Sequence, residues 1–294
     1  MIGRIDGHCH YWALKRGDYG WLTPDAAHLK PIYRDFGTAD MRPLAEAAGI
    51  ERRILVQAAP TEAETQFLLD QGREDRAVSG VVGWVDLASP DSVASLERFA
   101  GNPLFKGVRP MLQDLPDPDW IVTHSHPDAI AAVKRLGLRF DALVMPQHLA
   151  ALLRFVDANP ELPVIVDHAA KPALAAPADD PRHAMWNAGM AALSAHEDVC
   201  CKLSGLLTEL PAERRTTPEA AAAALRPTVE KLLGWFGPKR LAWGSDWPVL
   251  TLAAPFAFWD EVTDRLLDGL GGPERGRILG GTAATFYGIG GGAA

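Results

Sequence analysis

The amino-acid sequence predicts an α/β protein that folds as a (β/α)8 barrel, or TIM barrel, with residues 1–294 forming a single domain. Short apolar runs rich in Val, Ile and Leu alternate with segments of helical periodicity, a pattern typical of βα units around a buried parallel sheet. The 48% hydrophobic content is sufficient for one large core. A doubly wound open sheet is disfavoured, because no GxGxxG motif follows the first predicted strand.

Eight apolar runs are predicted to form the strands of this barrel. They comprise residues 3–7, 53–58, 78–86, 105–110, 139–144, 163–167, 199–203 and 240–244. Nine amphipathic segments are predicted helices, and they comprise residues 41–48, 62–71, 91–99, 127–136, 147–158, 183–196, 218–236, 255–267 and 273–279. Because one helix follows each of the first seven strands and two follow the eighth, the alternation extends over the whole chain.

Composition and charge indicate which kinds of molecule the protein is expected to bind. The formal net charge of -8 is spread along the chain, which argues against nucleic acid and anionic membranes and favours a small-molecule substrate. No signal peptide precedes the first predicted strand, and no apolar run is long enough to cross a bilayer. Cys9, Cys200 and Cys201 lack CxxC spacing, so we expect neither a disulfide framework nor a cysteine-ligated zinc site. These features predict a cytoplasmic protein and leave open whether it forms a homo-oligomer.

Polar or ionisable side chains follow nearly every predicted strand. In a barrel, the carboxyl ends of the strands meet at one rim, where active sites form. The residues are Asp6, His8 and His10 after the first strand, Gln57 after the second, Trp84 and Asp86 after the third, Arg109 after the fourth, Asp141 on the fifth, His168 and Lys171 after the sixth, Lys202 and Ser204 on the seventh, and Asp246 after the eighth. Such a ring predicts a site for an oxygen-rich substrate.

His8, His10 and Asp246 are the candidates for the reaction itself. Residues two apart in an extended segment point the same way, so His8 and His10 offer two neutral metal ligands or two proton carriers. Asp246 lies between large rings that exclude water, which suits a carboxylate that activates water. The alternatives are two structural histidines bonded to the backbone and, for Asp246, a helix N-cap or a salt bridge.

Three further cations are candidates for binding developing negative charge. His168 and Lys171 follow an apolar strand and are predicted to donate hydrogen bonds to a carbonyl or carboxylate oxygen. Arg109 presents a planar donor array suited to a carboxylate or to vicinal oxygens. A solvated Lys171, and an ion pair between Arg109 and Asp86 or Asp119, are the structural alternatives.

The tryptophans bear on the substrate class. Five tryptophans lie in predicted loops, where indole rings can stack on the apolar face of a sugar, and they are Trp12, Trp21, Trp84, Trp120 and Trp247. Single exposed tryptophans are more often packing residues. The remaining six histidines, which are His28, His124, His126, His148, His183 and His196, are interpreted as structural or solvated. Cys9 is expected to point away from its histidine neighbours, because side chains alternate along a strand.

Seven motifs, in their order and spacing, carry a resemblance to a known family. They are IDGHCHYW at residues 5–12, VQA at 56–58, VGWVDL at 82–87, GVR at 107–109, VDHAAKP at 166–172, CKLSGL at 201–206 and WGSDWP at 243–248. Over nearly its whole length the chain resembles the lactonase branch of the amidohydrolase superfamily. That branch includes L-fuconolactonases, L-rhamnonolactonases and lactonases of pyrone-dicarboxylates and sulfomuconolactone.

The resemblance implies a distorted barrel of the amidohydrolase type and hydrolysis of a lactone. It also implies that the strand-one histidines and His168 lie in the site and that Asp246 is the base. If a metal binds, the implied ligands are His8, His10 and Asp246. Relatives that bind zinc tightly add a histidine at the end of strand five, where this chain has Asp141. One divalent cation, Zn²⁺ or Mn²⁺, and no metal at all therefore remain as alternatives.

The expected function is a carboxylic ester hydrolase of carbohydrate catabolism that opens a sugar-acid lactone, or aldonolactone. Asp246 takes a proton from water, while His168, Lys171, Arg109 or a divalent ion stabilises the oxyanion. Trp12, Trp84, Trp247, Gln57, Asp86, Asp141 and Lys202 are expected to contribute to substrate binding. Three alternatives remain: a lactonase of aromatic degradation acting on a muconolactone or pyrone, a metal-dependent decarboxylase, and a sugar-binding barrel without catalysis.

Overall fold

A parallel eight-stranded barrel is the centre of the computed structural model, which describes residues 3–289. The strands are hydrogen-bonded in sequence order, from β1 to β8. They are β1 Arg4–Cys9, β2 Ile50–Val56, β3 Val78–Gly83, β4 Phe105–Val108, β5 Arg139–Ala142, β6 Val164–Val166, β7 Val199–Leu203 and β8 Leu241–Trp243. The predicted (β/α)8 class is therefore confirmed.

Helices connect the strands and cover the outside of the barrel. They are α1 Thr38–Ala47, α2 Glu62–Glu74, α3 Ser92–Ala100, α4 Trp120–Thr123, α5 Pro127–Arg135, α6 Leu149–Ala158, α7 Pro181–Ser194, α8 Leu206–Glu209, α9 Pro218–Phe236, α10 Phe256–Leu266, α11 Gly272–Gly276 and α12 Thr282–Phe286. The helices α4, α8 and α12 were not predicted, because four or five residues are too few to show a periodicity. The predicted helix 273–279 is divided into α11 and a π-helical turn over Arg277–Gly281.

Several strand ends differ from the prediction in ways that matter for the site. β1 continues to Cys9, two residues further than expected, because Cys9 pairs with both Leu55 and Trp247. β3 ends at Gly83, so Trp84 and Asp86 lie in the following loop and not on the strand. β7 has the predicted bounds. His8 therefore lies within β1, where strand pairing fixes its backbone.

The barrel closes between its first and last strands through residues beyond the end of β8. The N–H of Asp246 donates to the carbonyl of His8 at 2.8 Å, and the N–H of His10 donates to the carbonyl of Trp247 at 2.7 Å. The strands themselves are almost entirely buried, as expected when helices cover a parallel sheet. Closure thus places the segment after β8 directly against the segment after β1.

Side-chain caps set the starts of helices around the barrel. Thr61 accepts a hydrogen bond from the N–H of Glu64 in α2, and Thr217 accepts one from Ala220 in α9. Both helices begin at the residue after their cap. These threonines satisfy backbone donors that the first helical turn leaves unpaired.

All three cysteines are buried and carry free thiols. The Cys9 thiol faces the carbonyl of Ile54, with its Sγ 3.5 Å from that oxygen. Across residues 3–289 there is no helix with the length and apolar character needed to cross a bilayer.

Candidate active site

Four ionisable side chains meet at the carboxyl ends of the strands. Asp246 Oδ1 lies 3.2 Å from Nε2 of His10 and 3.8 Å from Nε2 of both His8 and His168. The ring of His8 contacts those of His10 and His168, with centroid distances of 4.9 and 4.5 Å. All four side chains are buried. The structure therefore brings together residues from β1, from the turn after β6 and from the turn after β8.

Backbone geometry aims the Asp246 carboxylate at the histidines. Asp246 has a left-handed φ of 58°, a conformation that residues other than glycine rarely adopt. The neighbouring Ser245 is held by Asp6, whose carboxylate accepts the backbone N–H of Ser245 at 2.9 Å and its hydroxyl at 2.5 Å. Sparsely populated backbone conformations persist when the surrounding structure enforces them, and they cluster at functional sites.

His168 lies in a left-handed turn that follows β6. His168, Ala169, Ala170 and Lys171 have φ angles of 52°, 50°, 57° and 47°. Each costs about 1–2 kcal/mol relative to a right-handed residue, so packing must hold the turn in place. Ala169 and Ala170 are fully buried, and the indole N–H of Trp186 donates to the Ala169 carbonyl at 2.6 Å. The turn places the side chains of His168 and Lys171 in the same cavity wall.

The cavity above these residues, here called the central cavity, has a volume of about 400 Å³. Its wall contains His10, Arg109, His168, Lys171 and Asp246, all of them predicted site residues. The volume lies in the range of about 300–1,000 Å³ that small-molecule sites occupy. His8 lies beneath this surface and is completely buried.

Burial disfavours the charged form of two of the histidines beside Asp246, which are His8 and His168. It lowers the pKa of His168 to about 4, despite the opposing charges of Asp246 and Asp167. Burial, together with the charge of Lys202, lowers the pKa of His8 well below its usual range. For Asp246, burial alone would raise the pKa, but the neighbouring His168, His10 and His8 outweigh burial and hold the pKa well below its usual range. At neutral pH Asp246 is therefore ionised.

The donor set fits a divalent cation. The Val56 carbonyl lies 2.8 Å from Nδ1 of His10, so this nitrogen carries the ring proton and Nε2 has a free lone pair. That lone pair faces the Asp246 carboxylate at 3.2 Å, an arrangement that needs a proton or a cation between the two atoms. One ligand atom from each of His8, His10 and Asp246 lies within 4.8 Å of the others. The same holds for His8, Asp167 and His168.

A buried charged network supports His8 from below. Lys202 Nζ lies 2.5 Å from Asp141, 2.9 Å from Asp167 and 2.9 Å from Nδ1 of His8. The Tyr287 hydroxyl donates to Asp141 at 2.7 Å. Burial opposes ionisation of Asp167, but Lys202, His8 and Arg109 outweigh it and hold the pKa of Asp167 well below its usual range. These contacts fix the orientation of the His8 ring.

Arg109 contacts this buried network and is not paired with Asp86 or Asp119. Its Nη1 lies 3.3 Å from Asp167 and 3.5 Å from Nε2 of His8. The side-chain amide of Gln57 donates to the backbone carbonyl of Arg109 at 2.7 Å, and the Arg109 guanidinium donates to the backbone carbonyl of Gln57. The alternative pairing of Arg109 with Asp86 or Asp119 is wrong, and Asp119 instead pairs with Arg154.

Several residues predicted to bind substrate lie elsewhere, and these predictions are corrected. Asp141 and Lys202 are fully buried partners of each other, and Gln57 is buried behind Arg109. Trp12 and Trp247 both pack edge-on against Phe36 and expose 1% and 2% of their surface. Sequence position locates the rim of the barrel but not the depth of a side chain within it. Trp84 and Asp86 line a second cavity, described below.

Other residues of the central cavity were missed. His28 and Leu29 come from the long loop after β1, and Gln113 comes from the loop after β4, whereas Trp21 of the β1 loop was among the tryptophans considered for sugar stacking. His28 had been interpreted as structural or solvated, whereas it lines the cavity. No motif in the sequence indicated these loop residues, because their approach depends on how the loop folds back. Asp167 was also missed as a site residue, although it directly precedes His168.

Comparison with known proteins adds independent findings. A family model described as Amidohydrolase matches residues 5–289. An L-fucono-1,5-lactonase from Burkholderia ambifaria is 43% identical over 297 residues, which cover 98% of this chain and 97% of that protein. An L-fucono-1,5-lactonase from Burkholderia multivorans is 34% identical over 289 residues, covering 97% and 96%. A crystal structure of an amidohydrolase from Burkholderia multivorans with bound zinc is 33% identical, with a TM-score of 0.86 and coverage of 97% and 99%.

Proposed function

The chain belongs to the amidohydrolase family, and we propose that it is a lactonase that opens the ring ester of a sugar-acid lactone. Its two L-fucono-1,5-lactonase relatives match almost the whole chain, which supports this substrate class and a place in carbohydrate catabolism. The observation that carries the proposal is the buried Asp246 carboxylate, 3.2–3.8 Å from three histidines in a cavity of small-molecule size.

Asp246 is the group that takes the proton from the attacking water. A general base must lie within hydrogen-bonding reach of its proton, and the Asp246 side chain is in the wall of the central cavity. The histidines hold the pKa of Asp246 below its usual range, so its carboxylate is ionised at neutral pH and can accept a proton. Water delivered at this position attacks the lactone carbonyl carbon.

Lys171 and His168 stabilise the carbonyl oxygen as it becomes an oxyanion. Both side chains line the central cavity, and the left-handed turn fixes their backbone. Preorganised donors of this kind are among the largest contributions to catalysis. Arg109 also lines the cavity, but its guanidinium is largely engaged by Gln57 and Asp167, so it contributes positive charge at longer range. When the ring C–O bond breaks, Asp246 returns its proton to the leaving ring oxygen.

A divalent cation fits the same site. His8, His10 and Asp246 would hold Zn²⁺ or Mn²⁺, which would polarise the lactone carbonyl as a Lewis acid. Elemental analysis of the purified protein and of His10→Ala tests this assignment independently of activity. About one equivalent of metal in the wild type and its loss in the variant are expected. Metal-free wild-type protein from metal-supplemented culture would contradict it.

The substitution Asp246→Asn tests the proposed reaction. We expect kcat on L-fucono-1,5-lactone to fall by about 10³-fold, because the amide cannot take a proton from water. Acid release measured with a pH indicator gives the rate. Asp128→Asn, which changes an exposed carboxylate in α5, is the matched control and should keep wild-type activity. Wild-type turnover by Asp246→Asn would show that another group activates the water.

A further inference from the structure

A second cavity adjoins the central one and has no role in the reaction described so far. This side cavity has a volume of about 620 Å³ and is lined in part by Trp21, Trp84 and Trp120. Trp21, Met111 and Asp114 line both cavities. We propose that the side cavity binds a second, uncharged sugar ring, so that the preferred substrate is a lactone that carries a glycosyl substituent. This inference rests on the lactonase function proposed above.

The aromatic lining supplies flat apolar surfaces. Trp21 is fixed by its indole N–H, which donates to the Ala58 carbonyl at 2.7 Å, and by edge-on packing with Trp12 at 5.7 Å. Trp84 is fixed at its backbone, since its N–H donates to the Thr65 hydroxyl at 2.7 Å. Large rings held at a partly exposed surface are suited to stacking on the apolar face of a sugar.

Hydrogen-bond acceptors in the same wall select against an anionic ligand. Asp18, Asp86 and Asp114 contribute three carboxylates, and the lining contains no Lys, Arg or His. One oxygen of Asp18 is taken by Thr61 and Arg16 and its Oδ1 has no exposed surface, so the exposed carboxylates of Asp86 and Asp114 are the acceptors open to a ligand. An aromatic or aliphatic carboxylate would be repelled here, whereas a hydroxyl would donate to these oxygens.

Hydrogen-bond donors in the wall distinguish a sugar from a cation. Within residues 3–289 the indole N–H groups of Trp84 and Trp120 have no protein acceptor, in contrast to those of Trp12 and Trp21. A hydroxyl both accepts from an indole N–H and donates to a carboxylate, and an organic cation can do only the second. Stacking faces, acceptors and donors together match a ring with several hydroxyls.

The sizes of the two cavities fit a two-ring ligand. The central cavity alone, at about 400 Å³, is already large enough for a single lactone ring beside Asp246. The side cavity, at about 620 Å³, is therefore additional space. The shared wall of Trp21, Met111 and Asp114 places a substituent on the lactone within reach of it.

Matched pairs of lactones test the inference. Cellobiono-1,5-lactone and maltobiono-1,5-lactone each carry a glucose ring on glucono-1,5-lactone, which is the parent for comparison. We expect kcat/KM for at least one disaccharide lactone to exceed that for the parent by about tenfold, equivalent to about 1.4 kcal/mol. Equal or lower values for both disaccharide lactones, combined with no tighter binding of the alditols described next, would overturn the inference.

A binding measurement separates this inference from the lactonase proposal. Calorimetry with the non-hydrolysable alditols cellobiitol and maltitol should give a Kd about tenfold lower than with sorbitol. If no lactone is hydrolysed but this difference persists, the lactonase function fails and the sugar site stands. If lactones are hydrolysed and neither difference is seen, the sugar site fails alone. Tighter binding of tetramethylammonium than of either alditol would assign the cavity to cations and overturn the inference.

Tryptophan variants assign the effect to the side cavity. Trp120→Ala should bring the disaccharide-to-parent ratio of kcat/KM close to one, since it removes one face of the cavity. Trp84→Phe keeps a ring but removes the indole donor and should lower the ratio in part. Trp235→Ala is the control, because this half-buried tryptophan packs on Trp186 away from both cavities. A ratio unchanged in Trp120→Ala would overturn the assignment.

Discussion

Charged side chains buried at the centre of the barrel are stabilised by oppositely charged neighbours. Lys202 is completely buried, yet Asp141 and Asp167 both lie within 2.9 Å of its ammonium group. Breaking such a pair by removing one partner costs about 3–5 kcal/mol, because the other charge is left unpaired in the interior. The network therefore holds the His8 ring in one orientation. Asp141 and Lys202, which the sequence placed at the substrate, instead support His8 from beneath the site.

Glu64 is a buried carboxyl outside the active site and gives a pH-dependent test of the structure. It accepts hydrogen bonds from the Ala58 N–H at 3.0 Å and the Tyr19 hydroxyl at 2.8 Å. Burial raises its pKa to about 7, despite these bonds and the nearby Arg16. Between its ordinary value of 4.5 and this value, the folded state binds more protons than the unfolded state at this site. The contribution of Glu64 to stability is present below pH 4.5 and is lost as the pH rises towards 7.

Glu64→Gln should remove this pH dependence. Relative to the wild type, we expect its free energy of unfolding to rise by about 2–3 kcal/mol between pH 5 and pH 8, since Gln cannot ionise. Urea denaturation at several pH values measures the difference. Glu46→Gln, at an exposed position of α1, is the control and should follow the wild-type profile. A difference between Glu64→Gln and the wild type that does not vary with pH would contradict the assigned shift.

At the level of elements, the turns after β6 and β7 act together. The left-handed turn 168–171 presents the His168 ring, and Nδ1 of that ring lies 3.0 Å from the Ser204 hydroxyl at the end of β7. Gly205 follows with a φ of 64°, and a Cβ at this position would lie 2.6 Å from Nδ1 of His168. Glycine is thus required here both by the backbone and by the close approach of the histidine.

Gly205→Ala should displace His168. We expect kcat/KM on L-fucono-1,5-lactone to fall by about 100-fold, because a shift of about 1 Å in a catalytic group has effects of this size. Gly137→Ala is the control, since Gly137 also has a positive φ, of 66°, but has no atom within 4 Å of the added Cβ. Both variants should lose about 1–2 kcal/mol of stability from backbone strain. Full activity in Gly205→Ala would indicate that the position of His168 is not critical.

At the level of the whole molecule, one set of contacts both closes the barrel and builds the candidate active site. Asp6 on β1 accepts hydrogen bonds from the N–H and the hydroxyl of Ser245, while the N–H of Asp246 donates to His8. Trp247 continues this seam with a hydrogen bond from His10. The first and last strands come from opposite ends of the chain, so the Asp246 carboxylate meets the histidines only when the barrel is complete.

Ser245→Ala should weaken this seam. The substitution leaves one oxygen of buried Asp6 without the Ser245 hydroxyl, and we expect the free energy of unfolding to fall by about 1–3 kcal/mol. Equilibrium urea denaturation measures the change. Ser194→Ala, which removes a half-buried hydroxyl at the end of α7, should cost less than about 0.5 kcal/mol. Equal losses in the two variants would show that the Asp6–Ser245 contact is not important for closure.

How much could be predicted from the sequence varies with the range of the interaction. Apolar runs and their spacing predicted all eight strands, and polar residues after those strands indicated the rim that carries Asp246, His10 and His168. The loops could not be predicted in this way. Trp21 and His28 reach the central cavity because the segment after β1 folds back over the barrel, and no local pattern specifies that path.

By itself, the sequence determined the barrel and the identity of the residues around Asp246, because strand periodicity and the order of strands in a barrel are local properties of the chain. The tertiary structure decided the depth of each side chain. It placed Lys202 and Asp141 beneath the site, Trp12 and Trp247 in packing, and Trp84 and Asp86 in the side cavity. Depth depends on contacts between residues far apart in the sequence, as at the seam where Asp246 meets His8, and no local pattern carries that information.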